Sequence, residues 1–192
     1  MPPKFKVSRE EIINAALIIT EQYGLSAVTA RDLGKILGLS SRPLYSYFGT
    51  IDELKEEVII RVFEHYKKII SSGDNSNNYF LSVGINYIEF AKNNREFYKI
   101  IHSSLNDKAR SEIQSFEYSI IETIREREFS NEYTHDEIKD LYIKMAIFTH
   151  GLADLMFQGE FKNFDRKDTE KILSETGEAI ISNFKRSKEA RT

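Results

Sequence analysis

Arg42, Tyr45 and Ser46 are the residues whose types and spacing first suggest chemistry in this sequence of 192 residues. They lie in the stretch SSRPLYSYF, which holds one arginine, two tyrosines and no acidic residue. A helix advances about 100° per residue, which turns Leu44 and Phe48 inward and the three polar side chains outward. A guanidinium can fork onto guanine edges or phosphate, and hydroxyls reach phosphate oxygens. This face fits a nucleic-acid groove; the alternative is a small structural helix with a solvated face.

Helix start and stop signals surround this stretch. SREE is a capping box with Ser8 at the N-cap, and TARD places Thr29 as the cap of a second helix. Gly38 predicts the end of that second helix. Ser40 is then expected to cap the third helix, so that Pro43 falls in its first turn, where a missing amide costs little. Two helices, a glycine turn and a short helix are the layout of a helix-turn-helix.

The charge of the chain is uneven. Residues 1–50 carry six lysines and arginines against four acidic residues, whereas the whole chain has a net charge of −3. A mildly basic N-terminal segment on an acidic remainder is compatible with a polyanion-binding module.

Composition excludes several classes of protein. The chain has no cysteine, so we expect no disulfide, no thiolate catalysis and no cysteine–zinc site, which is typical of a reducing cytoplasm. The beginning of the sequence lacks the apolar run of a signal peptide, and no segment approaches the roughly 18 apolar residues of a membrane span. We expect a cytoplasmic protein without a membrane partner.

Helical periodicity extends along the whole chain. Apolar residues recur at three- and four-residue spacing, and glycine and proline are scarce, at nine and three. The stretch SSGDNSNN, residues 71–78, is the clearest loop, and THDE begins a later helix with a capping box. The expected fold class is all-α, with about nine helices.

The segment TARDLGKILGLSSRPLYSYFGTIDEL closely resembles the DNA-binding head of the TetR family of transcriptional regulators. The resemblance covers about Ser8 to Leu54 and rests on the turn, the aromatic residues and their spacing. It implies a three-helix helix-turn-helix DNA-binding domain over residues 1–52 and a helical ligand-sensing and dimerisation domain over residues 53–192.

The resemblance also implies which residues contact DNA. They are Thr29, Arg31, Ser40, Ser41, Arg42, Tyr45, Tyr47, Lys55 and Lys6. Lys4 and Arg9 are expected to add contacts near the duplex. Two residues depart from the family pattern. Gly34 replaces the usual alanine, at a cost of roughly 1 kcal/mol. Ile51 replaces a phosphate-binding lysine, whose contact is either missing or moved to Lys55.

The resemblance implies a homodimer with a ligand pocket in the body. Apolar residues of the last two long helices are expected to supply the dimer interface: Ile143, Ile147, Ala153, Leu155, Ile172, Leu173, Ala179 and Ile180. The alternative is that they pack only within one subunit. Polar and aromatic residues assigned to the pocket are Tyr98, His102, Phe116, Tyr142 and His150, although most aromatics at helical spacing belong to a core.

The function implied is a ligand-responsive transcriptional regulator. It would be a repressor that binds a palindromic operator in double-stranded DNA and is released by a small apolar or aromatic effector. We expect no cofactor and no catalytic or metal site. The alternatives are an enzyme, suggested by the His135-Asp136 doublet and the His150 and Asp154 pair, and a helical interaction module or small-molecule binder with a vestigial DNA-binding head.

Overall fold

The computed structural model of the chain describes residues 7–38, 40, 42–73, 78–103, 107–130, 132–161 and 163–189. Within them the regular elements are helical, which confirms the predicted all-α class. The α-helices are α1 (Arg9–Tyr23), α2 (Ala30–Leu37), α3 (Arg42–Phe48), α4 (Ile51–Ile70), α5 (Tyr79–Asn93), α6 (Arg95–Ile101), α7 (Asp107–Glu128), α8 (His135–Gln158) and α9 (Arg166–Glu189), with short 3₁₀ turns at Leu25–Ala27 and Ser71–Gly73. None of these described helices combines the length and the apolar composition needed to span a membrane.

The chain divides into two compact units. Unit 1 comprises Met1–Tyr66 and Asn94–Asn106, and unit 2 comprises Lys67–Asn93 and Asp107–Thr192. The predicted functional boundary between residues 52 and 53 falls inside α4 and stays a prediction.

Unit 1 is organised around α1. Ser8 caps this helix in a reciprocal capping box with Glu11, and Gly24 ends it. The buried side chains of unit 1 include, from α1 to α4, Ile12, Ile13, Ile19, Leu33, Leu44, Phe48, Leu54 and Val58. Each such side chain contributes about 1.5–3 kcal/mol of burial free energy, so together they dominate the stability of the head.

Helix α6 belongs to unit 1 because it packs on α1. Gly24, which ends α1, has a φ of +83°, a conformation that favours glycine. A Cβ at this position would lie 2.9 Å from Oε2 of Glu96.

Unit 2 is built from α5, α7, α8 and α9, with α5 packed on both α8 and α9. Its most deeply buried side chains include Phe90, Ile124, Ile138, Leu141 and Leu173. The capping box predicted for THDE is confirmed, since Thr134 caps α8 and Glu137 completes the reciprocal pair.

Candidate nucleic-acid interface

The glycine turn between α2 and α3 has the predicted geometry. Thr29 caps α2 by accepting a hydrogen bond from the amide of Asp32 at 3.1 Å. Gly38 ends α2 with φ +64° and ψ +32°, a left-handed conformation that glycine adopts without strain, and its amide donates to the carbonyl of Gly34. Leu33 is buried and anchors α2 to the head.

Helix α3 begins at Arg42, one residue later than a cap at Ser40 requires. Ser41, the residue before α3, lies outside the described residues. The expected cap at Ser40 therefore stays a prediction, and Ser40 itself is exposed. Pro43 becomes the second helical residue, which still lies in the first turn, where no intrahelical amide bond is lost.

The two faces of α3 differ as predicted. Leu44 and Phe48 are buried, with 4% and 3% of their surface exposed. Tyr45 and Tyr47 are 50% and 40% exposed, and Ser46 is exposed as well. The outward face therefore presents hydroxyl groups carried on large aromatic rings.

The two tyrosines of α3 have different surroundings. The Tyr47 hydroxyl donates to the backbone carbonyl of Val7 at 3.3 Å. Among the residues that the structure describes, the Tyr45 hydroxyl has no hydrogen-bond partner. Tyr45 can therefore donate its proton to an external acceptor without losing a bond inside the head, whereas Tyr47 cannot.

The start of α2 carries charge of both signs. Arg31 is exposed, and Lys35 forms an ion pair with Asp32 at 2.8 Å. The hydrogen bond from Lys35, followed by that from Thr29, lowers the pKa of the Asp32 carboxyl. Because Asp32 occupies both the Thr29 hydroxyl and the Lys35 ammonium, Arg31 is the more available cation of this turn.

The remaining DNA-contact candidates are placed as follows. Lys55 is half-buried in the second turn of α4. Lys6, Lys4 and Ser41 lie outside the described residues, as does the side chain of Arg42.

Arg9 is already engaged within the head. Its Nη2 donates to Oε2 of Glu57 on α4 at 2.7 Å, and its guanidinium carbon lies 4.9 Å from the centroid of the Phe48 ring. A second ion pair joins the same two helices in the opposite sense, from Arg61 Nη2 to Glu10 Oε2 at 3.0 Å. These pairs could not be predicted from the sequence, because they depend on the register between α1 and α4.

The five ligand candidates are divided between the two units. Tyr98 and His102 belong to unit 1, where Tyr98 is buried, His102 is exposed, and their ring centroids lie 4.4 Å apart. Phe116, Tyr142 and His150 belong to unit 2. A pocket that uses all five residues stays a prediction.

His150 is part of a hydrogen-bonded group in unit 2. Its Nδ1 lies 2.6 Å from the Tyr87 hydroxyl, and its Nε2 lies 3.6 Å from Oδ2 of Asp154. Tyr87 was not among the predicted polar residues of the pocket, since nothing in its sequence neighbourhood distinguishes it from a core aromatic.

Tyr142 and Phe116 are half-buried in unit 2. Burial raises the pKa of the Tyr142 hydroxyl, and the nearby charge of Glu117 adds to the effect. Desolvation raises the pKa of Glu117 in turn. Tyr142 therefore stays protonated and can serve as a hydrogen-bond donor.

The residues that suggested enzyme or metal chemistry have structural partners. His135 opens α8, where its Nδ1 lies 2.5 Å from Oε1 of Glu122 and its ring stacks on Tyr118 at 4.3 Å. Arg125 donates to the same Glu122 carboxylate. Among the described residues, no three His, Asp or Glu side chains are arranged to hold a metal ion.

Helix α8 carries an exposed apolar stripe at four-residue spacing. Ile143, Ile147 and Leu155 are 45%, 69% and 43% exposed. Gly151 continues the stripe and is itself exposed. Apart from its own helix backbone, no atom of the described residues lies within 4 Å of the position where its Cβ would be. A glycine inside a helix costs roughly 0.5–1 kcal/mol relative to alanine, and packing within the described protomer does not account for that cost.

Two residues expected at the dimer interface are instead core residues. Ala153 and Leu173 are 0% and 1% exposed. Ala153 lies on the side of α8 opposite the exposed stripe, and Leu173 is buried on α9, so their assignment to the interface was wrong. Ile172 and Ile180 of α9 are half-buried and Ala179 is exposed.

The fold and the α2–turn–α3 geometry define a helix-turn-helix protein with an all-helical body. Comparison with known proteins matches the head of the chain to a family model. Residues 12–58 match the family described as bacterial regulatory proteins, tetR family. The match lies in the N-terminal head and confirms the resemblance to the TetR family seen in the sequence.

One curated relative and two solved structures extend the comparison. The uncharacterized HTH-type transcriptional regulator YobS of Bacillus subtilis (strain 168) is 26% identical over 121 residues, which span 60% of this chain and 61% of that protein. A TetR-like transcriptional regulator from Rhodococcus sp. RHA1 has a TM-score of 0.60 at 14% identity, over 90% of this chain and 96% of the other. A TetR variant from Acinetobacter baumannii AYE in complex with minocycline has a TM-score of 0.56 at 14% identity, over 94% and 98%. The two structures establish the similarity of fold.

Proposed function

We propose that this chain is a transcriptional regulator of the cytoplasm that binds double-stranded DNA as a homodimer and responds to a small molecule. The observation that carries the proposal is the turn at Gly38 followed by α3, whose exposed face bears Tyr45, Ser46 and Tyr47, within the segment that matches the family. Residues 1–52 would read DNA, and residues 53–192 would sense the effector and dimerise.

The chemistry of α3 supports DNA contact. Phenolic and aliphatic hydroxyls hydrogen-bond to phosphate oxygens, and an arginine at the start of α3 can reach base edges. Arg31 provides a further cation at the start of α2. The other assigned contacts are Thr29, Ser40, Ser41, Arg42, Lys55 and Lys6. The Thr29 hydroxyl donates to Oδ2 of Asp32 and accepts from the Asp32 amide, so it would have to give up the hydrogen bond to the Asp32 carboxylate in order to donate to a phosphate.

The stripe on α8 supports a dimer formed with a second copy of this chain. Removal of Ile143, Ile147 and Leu155 from water would stabilise a dimer by about 25 cal/mol per Å² of buried apolar surface. Gly151 allows the backbone of a second α8 to approach closely. A twofold dimer presents two copies of α3, which would read two halves of a palindromic operator about one helical turn apart.

We also propose a binding site for the effector in the helical body, residues 53–192. Tyr142 and the Tyr87–His150 pair offer hydrogen-bond donors and acceptors, and half-buried aromatics such as Phe116 favour an apolar or aromatic compound. Binding of minocycline is a property of the Acinetobacter protein. We propose that an effector favours a spacing of the two heads that does not fit the operator, so that repression is relieved.

The test is selection of random duplex DNA by the purified full-length protein at about 0.15 M salt, where non-specific phosphate binding is weak. Enrichment of a palindrome would support a dimeric regulator and identify its operator. Absence of any enriched sequence from a protein shown to be dimeric would overturn the proposal. The alternative function, an interaction module with a vestigial DNA-binding head, would then replace the proposed one. Ile51, in place of the family's lysine, favours that alternative.

A further inference from the structure

Arg9 occupies a position that phosphate binding does not explain. It is the first residue of α1, yet it contacts the last residue of α3 and the second turn of α4. The two contacts are the 2.7 Å hydrogen bond to Oε2 of Glu57 and the approach of 4.9 Å to the centroid of the Phe48 ring. One side chain therefore links three helices of the head.

The same end of α1 contacts α3 a second time. The Tyr47 hydroxyl donates to the carbonyl of Val7, two residues before Arg9. Both contacts fall on the C-terminal end of α3, where Phe48 is buried. The end of α3 is thus attached to the beginning of α1 by a hydrogen bond and by a cation–π contact.

The ion pairs of this region are crossed. Arg9 of α1 pairs with Glu57 of α4, while Arg61 of α4 pairs with Glu10 of α1 at 3.0 Å. Reversal of either helix or a shift of one turn would place like charges together. The pairs therefore select one register of α1 on α4, even though exposed ion pairs contribute little to stability.

We propose that Arg9 is a positioning residue for the recognition helix, which holds the C-terminal end of α3 against α1 and α4 through Phe48 and Glu57 and does not itself bind DNA. The proposal rests on the proposed function of α3 in DNA reading. Its physical basis is the Glu57 carboxylate, which neutralises the guanidinium and would repel a phosphate brought to the same Nη2.

The substitution Glu57→Gln distinguishes the two roles by sign. If Arg9 positions α3, loss of the ion pair weakens binding to the selected palindrome by about twofold to fivefold. If Arg9 binds phosphate, the same substitution frees its guanidinium and strengthens binding. Glu56→Gln is the matched control, because it removes one carboxylate from the neighbouring exposed position, which has no ion pair among the described residues.

The salt dependence of Arg9→Ala provides a second readout. A positioning residue lowers affinity without changing the slope of log K against log salt concentration, measured with a random-sequence duplex. Loss of a phosphate contact would reduce that slope by about 0.9. A reduced slope, or tighter binding by Glu57→Gln than by Glu56→Gln, would overturn the proposal.

A measurement without DNA separates this proposal from the proposed function. In the full-length, DNA-free protein, Arg9→Ala should accelerate amide hydrogen exchange at residues 44–48 and leave exchange in α8 unchanged, which also shows that the variant is folded. Unchanged exchange in α3 would overturn the positioning role even if the protein selects a palindrome. Failure to select DNA, with accelerated exchange in α3, would overturn the function and leave the positioning role intact.

Discussion

The exposed faces of α3 and α8 differ in a way that indicates different partners. Both helices bury one face, but α3 exposes Tyr45 and Tyr47, whose rings end in hydroxyls, whereas α8 exposes Ile143 and Ile147, which have no polar atom in the side chain. Hydroxyls are hydrogen-bonded equally well by water and by phosphate oxygens. Isoleucines gain nothing from water and are stabilised only by another apolar surface.

The comparison shows that the outward face of a helix indicates the kind of partner it can bind, whereas the buried face does not. The buried residues of both helices are ordinary core side chains. The outward residues favour a polyanion as the partner of α3 and a second protein surface as the partner of α8, and substitutions on each face test that hypothesis.

The largest effect is expected from Ile147→Asp on α8. An aspartate at the centre of an apolar dimer interface loses its hydration, so the dimer dissociation constant should rise by roughly 100-fold or more. Sedimentation equilibrium of the full-length protein measures this. Ile18→Asp, on an isoleucine of α1 that is 49% exposed, makes the same chemical change away from the stripe and should leave the dimer intact. Equal dimerisation of both variants would remove α8 from the interface.

Arg42→Ala should produce the next largest effect. Loss of a bidentate contact to a base edge costs about 1–3 kcal/mol, and the loss should appear with the palindrome and be much smaller with random duplex. Competition binding with the two DNAs measures the ratio. An equal loss on both would assign Arg42 to phosphate and remove it from sequence reading.

The two tyrosines of α3 sharpen the comparison further. Tyr45→Phe should weaken binding to palindromic and random DNA alike, by about tenfold, because it removes a hydrogen bond to a charged phosphate. Tyr47→Phe should change DNA binding less and lower the thermal unfolding midpoint, because it removes the hydrogen bond to Val7. The opposite pattern would exchange the two roles.

Gly151→Ala separates the stability of the protomer from that of the dimer. Alanine should stabilise helix α8 by about 0.5–1 kcal/mol, since nothing lies near the added methyl group within the described protomer. In a close helix pair the same methyl group would weaken the dimer. The free energy of unfolding of the monomer, measured at a protein concentration below the dimer dissociation constant, should therefore rise while the affinity of the dimer falls. An increase in both quantities would show that no second helix approaches Gly151.

The smallest effect is expected from a carboxyl group in unit 2. Burial raises the pKa of Glu128, which accepts a hydrogen bond from the amide of Phe80 at 2.6 Å. The folded protein therefore retains a proton that the unfolded chain loses just above pH 4.5, and its stability falls as the pH rises through that window. Glu128→Gln removes this loss, so it should raise the unfolding midpoint at neutral pH and have less effect at pH 4.

Glu137→Gln is the control with the opposite sign. The backbone hydrogen bond at Thr134 lowers the pKa of Glu137, so the ionised form stabilises the fold above the ordinary pKa, and this stabilisation is lost as the pH falls. This variant should lower the midpoint at neutral pH. Thermal unfolding followed at several pH values checks both variants, and parallel shifts of the two would contradict the assignment.

Local signals in the sequence predicted the elements of the head well. The caps at Ser8, Thr29 and Thr134 and the left-handed turn at Gly38 involve atoms three or four residues apart, so the sequence spacing contains the geometry. The inward orientation of Leu44 and Phe48 follows in the same way from helical periodicity.

Contacts between helices could not be predicted from the same signals. The Arg9–Glu57 pair joins residues 48 positions apart, and the Tyr87–His150 bond joins residues 63 positions apart. Ala153 and Leu173 were misassigned for a related reason, because periodicity identifies an apolar stripe without telling whether its own protomer covers it. Register and rotation of one helix on another are set by the whole core.

The open space beside Gly151 also makes it a place for a chemical reporter. The chain has no cysteine, so Gly151→Cys would introduce its sole thiol at a position of α8 where, among the described residues, no neighbouring side chain or other helix lies within 4 Å of the Cβ. Disulfide formation requires two Cα atoms about 4.4–6.8 Å apart. Mild oxidation would then covalently join two chains only where α8 faces its own copy. The extent of crosslinking would report whether the two copies of residue 151 lie within disulfide distance across a twofold axis.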